Sequence, residues 1–266
     1  MKNFVEKNEE ILQKWEQEML KNGEENFAPD GIMYRGKIER YENGSERLDS
    51  EKGIENKEWS KTPLRILYLT KDQNVSGDGA WDVRGETGRK FEESLKIGSS
   101  FHRSFMYQLY GIVNTTPKVK ALFPENERML IDLYDSYIHA RINVKKEGGN
   151  SSIKNPVLVR YMNQYKDLLV EQIRSLDADV FICCGYSDSV EKTGNVILNF
   201  LNENLYSFEK VNNWISYDKT RNKIAINTYH LSARISYNDV FEDMTQAYYE
   251  FLVAHPDFLE KIRASR

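Results

Sequence analysis

An α/β fold is what this sequence predicts: a central, mainly parallel four-stranded sheet flanked by helices on both faces, in three α/β/α layers. Three observations carry that expectation. Four short runs rich in strand formers occur along the chain: LRILYL at 64–69, IHARINV at 138–144, DVFICC at 179–184 and KIAINTY at 223–229. Stretches with helical periodicity lie between and after them. Strands that alternate with helices call for crossover connections and parallel pairing.

In chain order, Phe4, Val5, Ile11, Leu12, Trp15 and Met19 recur at helical spacing over 3–22, with Gly23 as a stop. The polar stretch RYENGSERLDSEKGIENKEWSKT at 40–62 carries Asn43-Gly44 as a turn signal and reads as a surface connection. Residues 1–62 are thus expected to form an N-terminal helix and polar connection packed on a main domain spanning 63–266. In that domain the first strand leads through a loop to a helical face of Phe101, Phe105, Leu109 and Ile112. A helix over 125–137 precedes the second strand, whose exit loop is Lys145-Lys146-Glu147-Gly148-Gly149. A helix over 158–176, the third strand ending at Gly185, a helix over 187–205, a lesser strand at 214–217, the fourth strand and a closing helix over 238–254 complete the reading.

With 266 residues, 40% of them hydrophobic and 12% aromatic, the chain is long enough to bury the core of one large domain. Charged residues of both signs make up 29%, a globular rather than disordered balance. No window reaches the ~18 apolar residues of a membrane span. The start, MKNFVEKNEEILQKW, is too acidic for a signal peptide, so a cytoplasmic protein with no membrane partner is expected. The only cysteines, Cys183 and Cys184, sit side by side in an apolar run and suit a core better than a disulfide framework or zinc ribbon. Neither cofactor nor metal is expected. A net charge of −4 leans against nucleic acid as a partner, although local basic patches bind phosphate in acidic proteins.

In open parallel sheets, ligands bind beyond the carboxyl ends of the strands. The residues there are Lys71-Asp72-Gln73-Asn74 after the first strand, Asn143 with Lys145 and Lys146 at the second, Gly185-Tyr186-Ser187-Asp188 at the third, and His230-Leu231-Ser232-Ala233-Arg234 after the fourth. An acid, an amide and an imidazole would converge. Each has a structural reading too: Asp72 as a turn or cap residue, Asn143 bonded to its own loop, His230 as a satisfied structural histidine. Other chemistries fit poorly. Gly85-Glu-Thr-Gly-Arg-Lys90 lacks the spacing and the Lys-Ser/Thr ending of a phosphate loop, Cys-Gly-Tyr-Ser-Asp-Ser lacks the glycines of a nucleophile elbow, and no His-Glu-x-x-His is present.

Thr70-Lys-Asp-Gln-Asn74, Arg141-Ile-Asn-Val144, DVFICCG185 and His230-Leu-Ser232, in this order and these strand contexts, resemble the uracil-DNA glycosylase superfamily. Its first motif is a strand running into Gly-Gln-Asp-Pro-Tyr and its last a strand running into His-Pro-Ser; here Gln73 and Leu231 replace the two prolines. The resemblance spans 63 to the C-terminus. It implies a uracil-DNA glycosylase-like fold and a cofactor-free monofunctional DNA glycosylase; a monomer is expected, with the oligomeric state left open by the sequence. Asp72 would position water and stabilise positive charge on the sugar, and His230 would hydrogen-bond the departing base. Asn143 would read the polar edge of the base, with Trp81 stacking on it and Phe91 in reserve.

Ser232 matches a phosphate-binding serine of the family, and Arg234 stands where an apolar wedge is often found. Lys71, Lys145, Lys146 and Ser187 complete the expected DNA contacts, against the plain reading of a solvated basic loop. Asn74 replaces the aromatic residue that excludes 5-substituted bases, so the implied substrate is a modified or damaged pyrimidine, such as one carried by foreign DNA. Two other classes stay open: a catalytically silent nucleic-acid- or protein-binding module of the same fold, and an unrelated α/β hydrolase or nucleotide-binding enzyme.

Overall fold

The computed structural model describes residues 3–34, 53–73, 79–86, 97–149, 153–187 and 194–266, and the backbone of 38–40 and 46–48. The chain divides into two units that interleave in sequence. The first comprises Met1–Glu86 and Ile138–Ala178, the second Thr87–Tyr137 and Asp179–Arg266.

The first unit begins with α1 (Phe4–Lys21), β1 (Gly31–Ile32), an antiparallel ribbon of β2 (Ile38–Arg40) and β3 (Glu46–Leu48), α2 (Glu55–Lys61) and β4 (Ile66–Thr70). The second unit contributes α3 (Ser100–Val113) and α4 (Glu127–Ser136) before the first resumes with β5 (Ala140–Asn143), α5 (Asn155–Gln164) and α6 (Lys166–Leu176). The rest belongs to the second unit: β6 (Val180–Ser187), β7 (Gly194–Asn195), α7 (Val196–Asn204), β8 (Glu209–Lys210), β9 (Ile215–Asp218), β10 (Lys223–Tyr229), α8 (Tyr237–Ala254) and α9 (Phe258–Ala264).

In the first unit the strand order is β1-β5-β4. β5 runs parallel to β4, from Leu67 opposite Ala140 to Thr70 opposite Asn143, and antiparallel to β1. β4 and β5 are buried along their length, including the polar Arg141 and Asn143 of β5. The side chain of Asn3 caps α1, and Ile11, Leu12, Trp15 and Met19 form its buried face, which packs on α6.

In the second unit β6 and β10 are parallel, with β7 on one side of β6 and β9 then β8 beyond β10, all antiparallel. α3 packs on α8, where Tyr107 is stacked between Phe123 and Tyr237 with ring centroids 4.9 Å apart on each side. Cys183 and Cys184 are both buried in β6 and are not joined in a disulfide.

The α/β class and the four main strands match expectation, with corrections. Three strands of the first unit and five of the second take part, eight where four were expected, because β1, β7 and β8 are two residues each, too short to carry a period. β6 continues through Gly185 to Ser187 instead of ending at the glycine. The expected helix over 158–176 is two helices broken at Tyr165, whose ring lies 4.7 Å from that of Tyr161 and whose hydroxyl accepts from Asn22 Nδ2 at 3.0 Å. Part of the polar connection is α2, anchored by a fully buried Trp59 whose indole N–H donates to the Leu176 carbonyl at 2.9 Å. Among the described residues no helix is long and apolar enough to cross a membrane.

Candidate functional site

Each unit carries its own cluster of the expected residues. In the first, the register of β4 and β5 sets Thr70 beside Asn143, and the two chains stay paired beyond the strands. The N–H groups of Val144, Lys145 and Gly149 donate to the carbonyls of Thr70, Lys71 and Gln73 at 2.9, 2.9 and 2.8 Å. On the other edge of the exit loop, Ala28 N–H donates to the Lys146 carbonyl at 2.8 Å and Gly148 N–H to the Asn26 carbonyl at 3.1 Å. Asp72 therefore sits beside a loop fixed along both edges. Its carboxylate is half-buried against Gly149, where a Cβ would come within 2.6 Å of Asp72 Oδ2. Burial raises the Asp72 carboxyl to about 6, against the pull of Lys145 and Lys71 in the other direction.

Asn143 is fully buried. Its Oδ1 accepts the Thr70 hydroxyl at 2.5 Å and its N–H donates to Asp30 Oδ2 at 2.7 Å. Its Nδ2 has no partner among the described residues. A buried amide with its oxygen engaged and its NH2 unpaired is a donor without an acceptor, an arrangement that a bound carbonyl would complete.

Two of the expected phosphate contacts, Lys145 and Lys146, are buried. Lys146 is wholly enclosed, with Nζ donating to Asp30 Oδ1 at 2.6 Å and lying 4.9 Å from the Trp15 ring centroid. Burial lowers its ammonium to about 8 while Asp30 holds it up, so it is protonated at pH 7 and committed to that carboxylate. Gln172 and Asn143 also donate to Asp30, making this carboxylate the hub of the buried network. The Lys145 side chain is 9% exposed, its Nζ donating to the Glu147 carbonyl at 2.7 Å and paired with Glu147 Oε2 at 3.0 Å. Lys71 is half-buried and donates to Asn155 Oδ1 at 3.4 Å.

Trp81 is 43% exposed, yet held on three sides. The buried Gln73 side chain accepts from its N–H at 3.1 Å and donates to its carbonyl at 2.8 Å, while its indole N–H donates to Glu86 Oε1 at 3.1 Å. Glu86 in turn pairs with the buried Arg141 at 2.9 Å. Gln73 was noted only as a lost proline, and an amide gives no sign in sequence that it will clamp a loop. Asn74 and Phe91 lie outside the described residues.

In the second unit, His230 follows β10 in a tight turn closed by Ala233 N–H donating to the His230 carbonyl at 2.7 Å. Ser232 N–H donates to His230 Nδ1 at 3.3 Å, which in the neutral ring leaves the proton on Nε2 and makes that nitrogen a donor. Leu231, at the other lost proline, is buried and anchors the turn, whereas Ser232 and Arg234 are exposed. Ser187 closes β6, paired with Gly194, and the rings of Tyr186 and Tyr229 meet edge to face at 4.9 Å.

Asn195, which drew no attention in sequence, caps α7 through the N–H groups of Ile197 and Leu198 and donates to the Cys183 carbonyl at 2.7 Å. A Cβ at Gly185 would lie 2.6 Å from its Oδ1, so glycine permits this close packing of α7 on β6. Asp72, Asn143 and Trp81 thus belong to the first unit, and His230, Ser187, Ser232 and Arg234 to the second.

No known protein family, curated protein or solved structure matches this chain.

Proposed function

We propose that the protein is a monofunctional DNA glycosylase that hydrolyses the N-glycosidic bond of a flipped, damaged or modified pyrimidine and leaves an abasic site. One observation carries this reading: a half-buried carboxylate, Asp72, and a buried amide with an unpaired NH2, Asn143, occupy one hydrogen-bonded frame at two adjacent strand ends. The parallel pairs β4/β5 and β6/β10 suit the uracil-DNA glycosylase-like, three-layer fold that the reading implies.

In this mechanism the bond between the sugar C1′ and the base nitrogen breaks with its electron pair moving onto the base. Asp72, ionised above pH 6, stabilises the positive charge left on the sugar and orients a water molecule towards C1′. The water oxygen bonds to C1′, and its proton passes through the carboxylate to the departing base. Asn143 donates from Nδ2 to a carbonyl oxygen of the base, and His230 donates from Nε2 to the oxygen on which negative charge develops. Trp81 offers an exposed ring for stacking, and Lys71, Ser187, Ser232 and Arg234 are the phosphate-side contacts of the proposal. The reading makes the protein a cytoplasmic enzyme, and Asn74, in sequence the replacement for the family's aromatic residue, favours 5-substituted bases such as those of foreign DNA as substrates.

The test is incubation with a panel of DNAs carrying uracil, 5-substituted and damaged pyrimidines, with released bases identified by mass spectrometry and abasic sites by alkali cleavage. Release from at least one 5-substituted base is expected, abolished by Asp72→Asn and by His230→Gln. DNA binding without release from any substrate would make the protein a silent binding module instead.

A further inference from the structure

The exit loop of β5 brings a lysine against the candidate carboxylate and then folds its head away from solvent. The point that a Cβ would occupy on Gly149 is 2.6 Å from Asp72 Oδ2 and 3.7 Å from Lys145 Nζ. The two charges thus lie within roughly 6–7 Å of each other, close to the range in which opposite charges act on a titration. Both loop edges are fixed by the backbone bonds to Thr70, Lys71 and Gln73 on one side and to Asn26 and Ala28 on the other. The Lys145 head is secured by Glu147 and lies 5.7 Å from the Tyr161 ring centroid. A nearly buried ammonium held in this way cannot follow a phosphate backbone, but its field reaches Asp72 with little screening.

We propose that Lys145 is a positioning residue for Asp72: its ammonium, anchored by Glu147, keeps the carboxylate ionised and in place beside Gly149, and takes no part in phosphate binding. The proposal rests on the reading of Asp72 as the reactive carboxylate. Among the described residues, the charged and titratable groups around Asp72 are Lys71 on its own strand exit, Lys145 and Glu147 on the β5 exit loop, and Tyr161 on α5 beyond Lys145. Lys71 is more exposed and points to Asn155, so solvent weakens its share. Burial of Asp72 opposes ionisation, and Lys145 is the larger of the two lysine influences that counter it.

The experiment follows the Asp72 carboxyl carbon by 13C NMR titration in the full-length chain without DNA, so that its outcome does not depend on catalysis. Lys145→Met is expected to raise the midpoint by about one pH unit, a roughly tenfold lower ratio of ionised to protonated carboxyl near pH 6. Lys145→Arg, which keeps the charge, is expected to leave it near the wild-type value. If Lys145→Met fails to fold, Lys145→Gln, which removes the charge but keeps a polar head beside Glu147, carries the test. A midpoint unmoved in a folded Lys145→Met or Lys145→Gln variant overturns the proposal. So does a Lys145→Met variant whose only change is a DNA-binding salt slope lower by about one, the mark of a lost phosphate contact. Midpoints that move as expected while no base is released from any DNA leave the coupling standing and overturn the glycosylase reading instead.

Discussion

Asp72 folds with a carboxyl raised from 3.8 to about 6, and that direction has a consequence for stability as well as for chemistry. Between those two values the folded chain binds more protons than the unfolded one, so stability falls as pH rises through the window and the charge is a net cost at neutral pH. Asp72→Asn should therefore stabilise the protein at pH 7.5 by about 1 kcal/mol, after allowance for the half-exposed carboxylate, while lowering base release at least ~100-fold. Thermal melts and single-turnover assays on the same variant check both. In wild type the rate should fall about tenfold per unit as pH drops below 6, since the ionised form is the active one. Gly149→Ala separates space from charge. Its methyl would displace the carboxylate tip, the movable partner of the 2.6 Å approach. The expected result is a rate loss of tenfold or more with a stability loss of only about 1 kcal/mol, measured by the same two assays.

At the scale of elements, the end of β5 is tied to α1 and α6 through one buried network. Asp30 accepts from the backbone of Asn143, from Gln172 on α6 and from Lys146, while Asn8 on α1 donates to the Asp30 carbonyl at 2.9 Å. Lys146→Met leaves an uncompensated buried carboxylate and should cost about 3–5 kcal/mol, read as a lower urea midpoint. Adding Asp30→Asn should recover part of that loss, because the remaining amide carries no charge to strand. In sequence, Lys145-Lys146 before Gly148-Gly149 has the look of a basic surface loop. Only a partner 116 residues earlier, Asp30, turns the second lysine inward, and no local pattern announces it.

For the molecule as a whole, the interleaving of the two units means that the first 62 residues share a unit with β4 and β5. Ile11, Leu12, Trp15 and Met19 of α1 and Trp59 of α2 are fully or nearly fully buried there. A fragment starting at Pro63 loses this apolar cover and should lack a cooperative thermal transition by circular dichroism, whereas the full chain melts in one or more sharp steps.

The runs of β4, β5, β6 and β10 were legible because strand-forming residues cluster in each, and the polar residues that end them are where Asp72, Asn143 and His230 stand. Two-residue edge strands, the break at Tyr165, the clamp of Gln73 on Trp81 and the cap made by Asn195 were not, since each depends on partners distant in the chain or on side-chain amides with many uses. The amino-acid order by itself determined which elements form and which chemical groups sit at their ends, because both follow from local periodicity and polarity. Tertiary structure alone decided which of those groups are charged, buried or exposed: desolvation and pairing act between segments that meet only once the chain has folded.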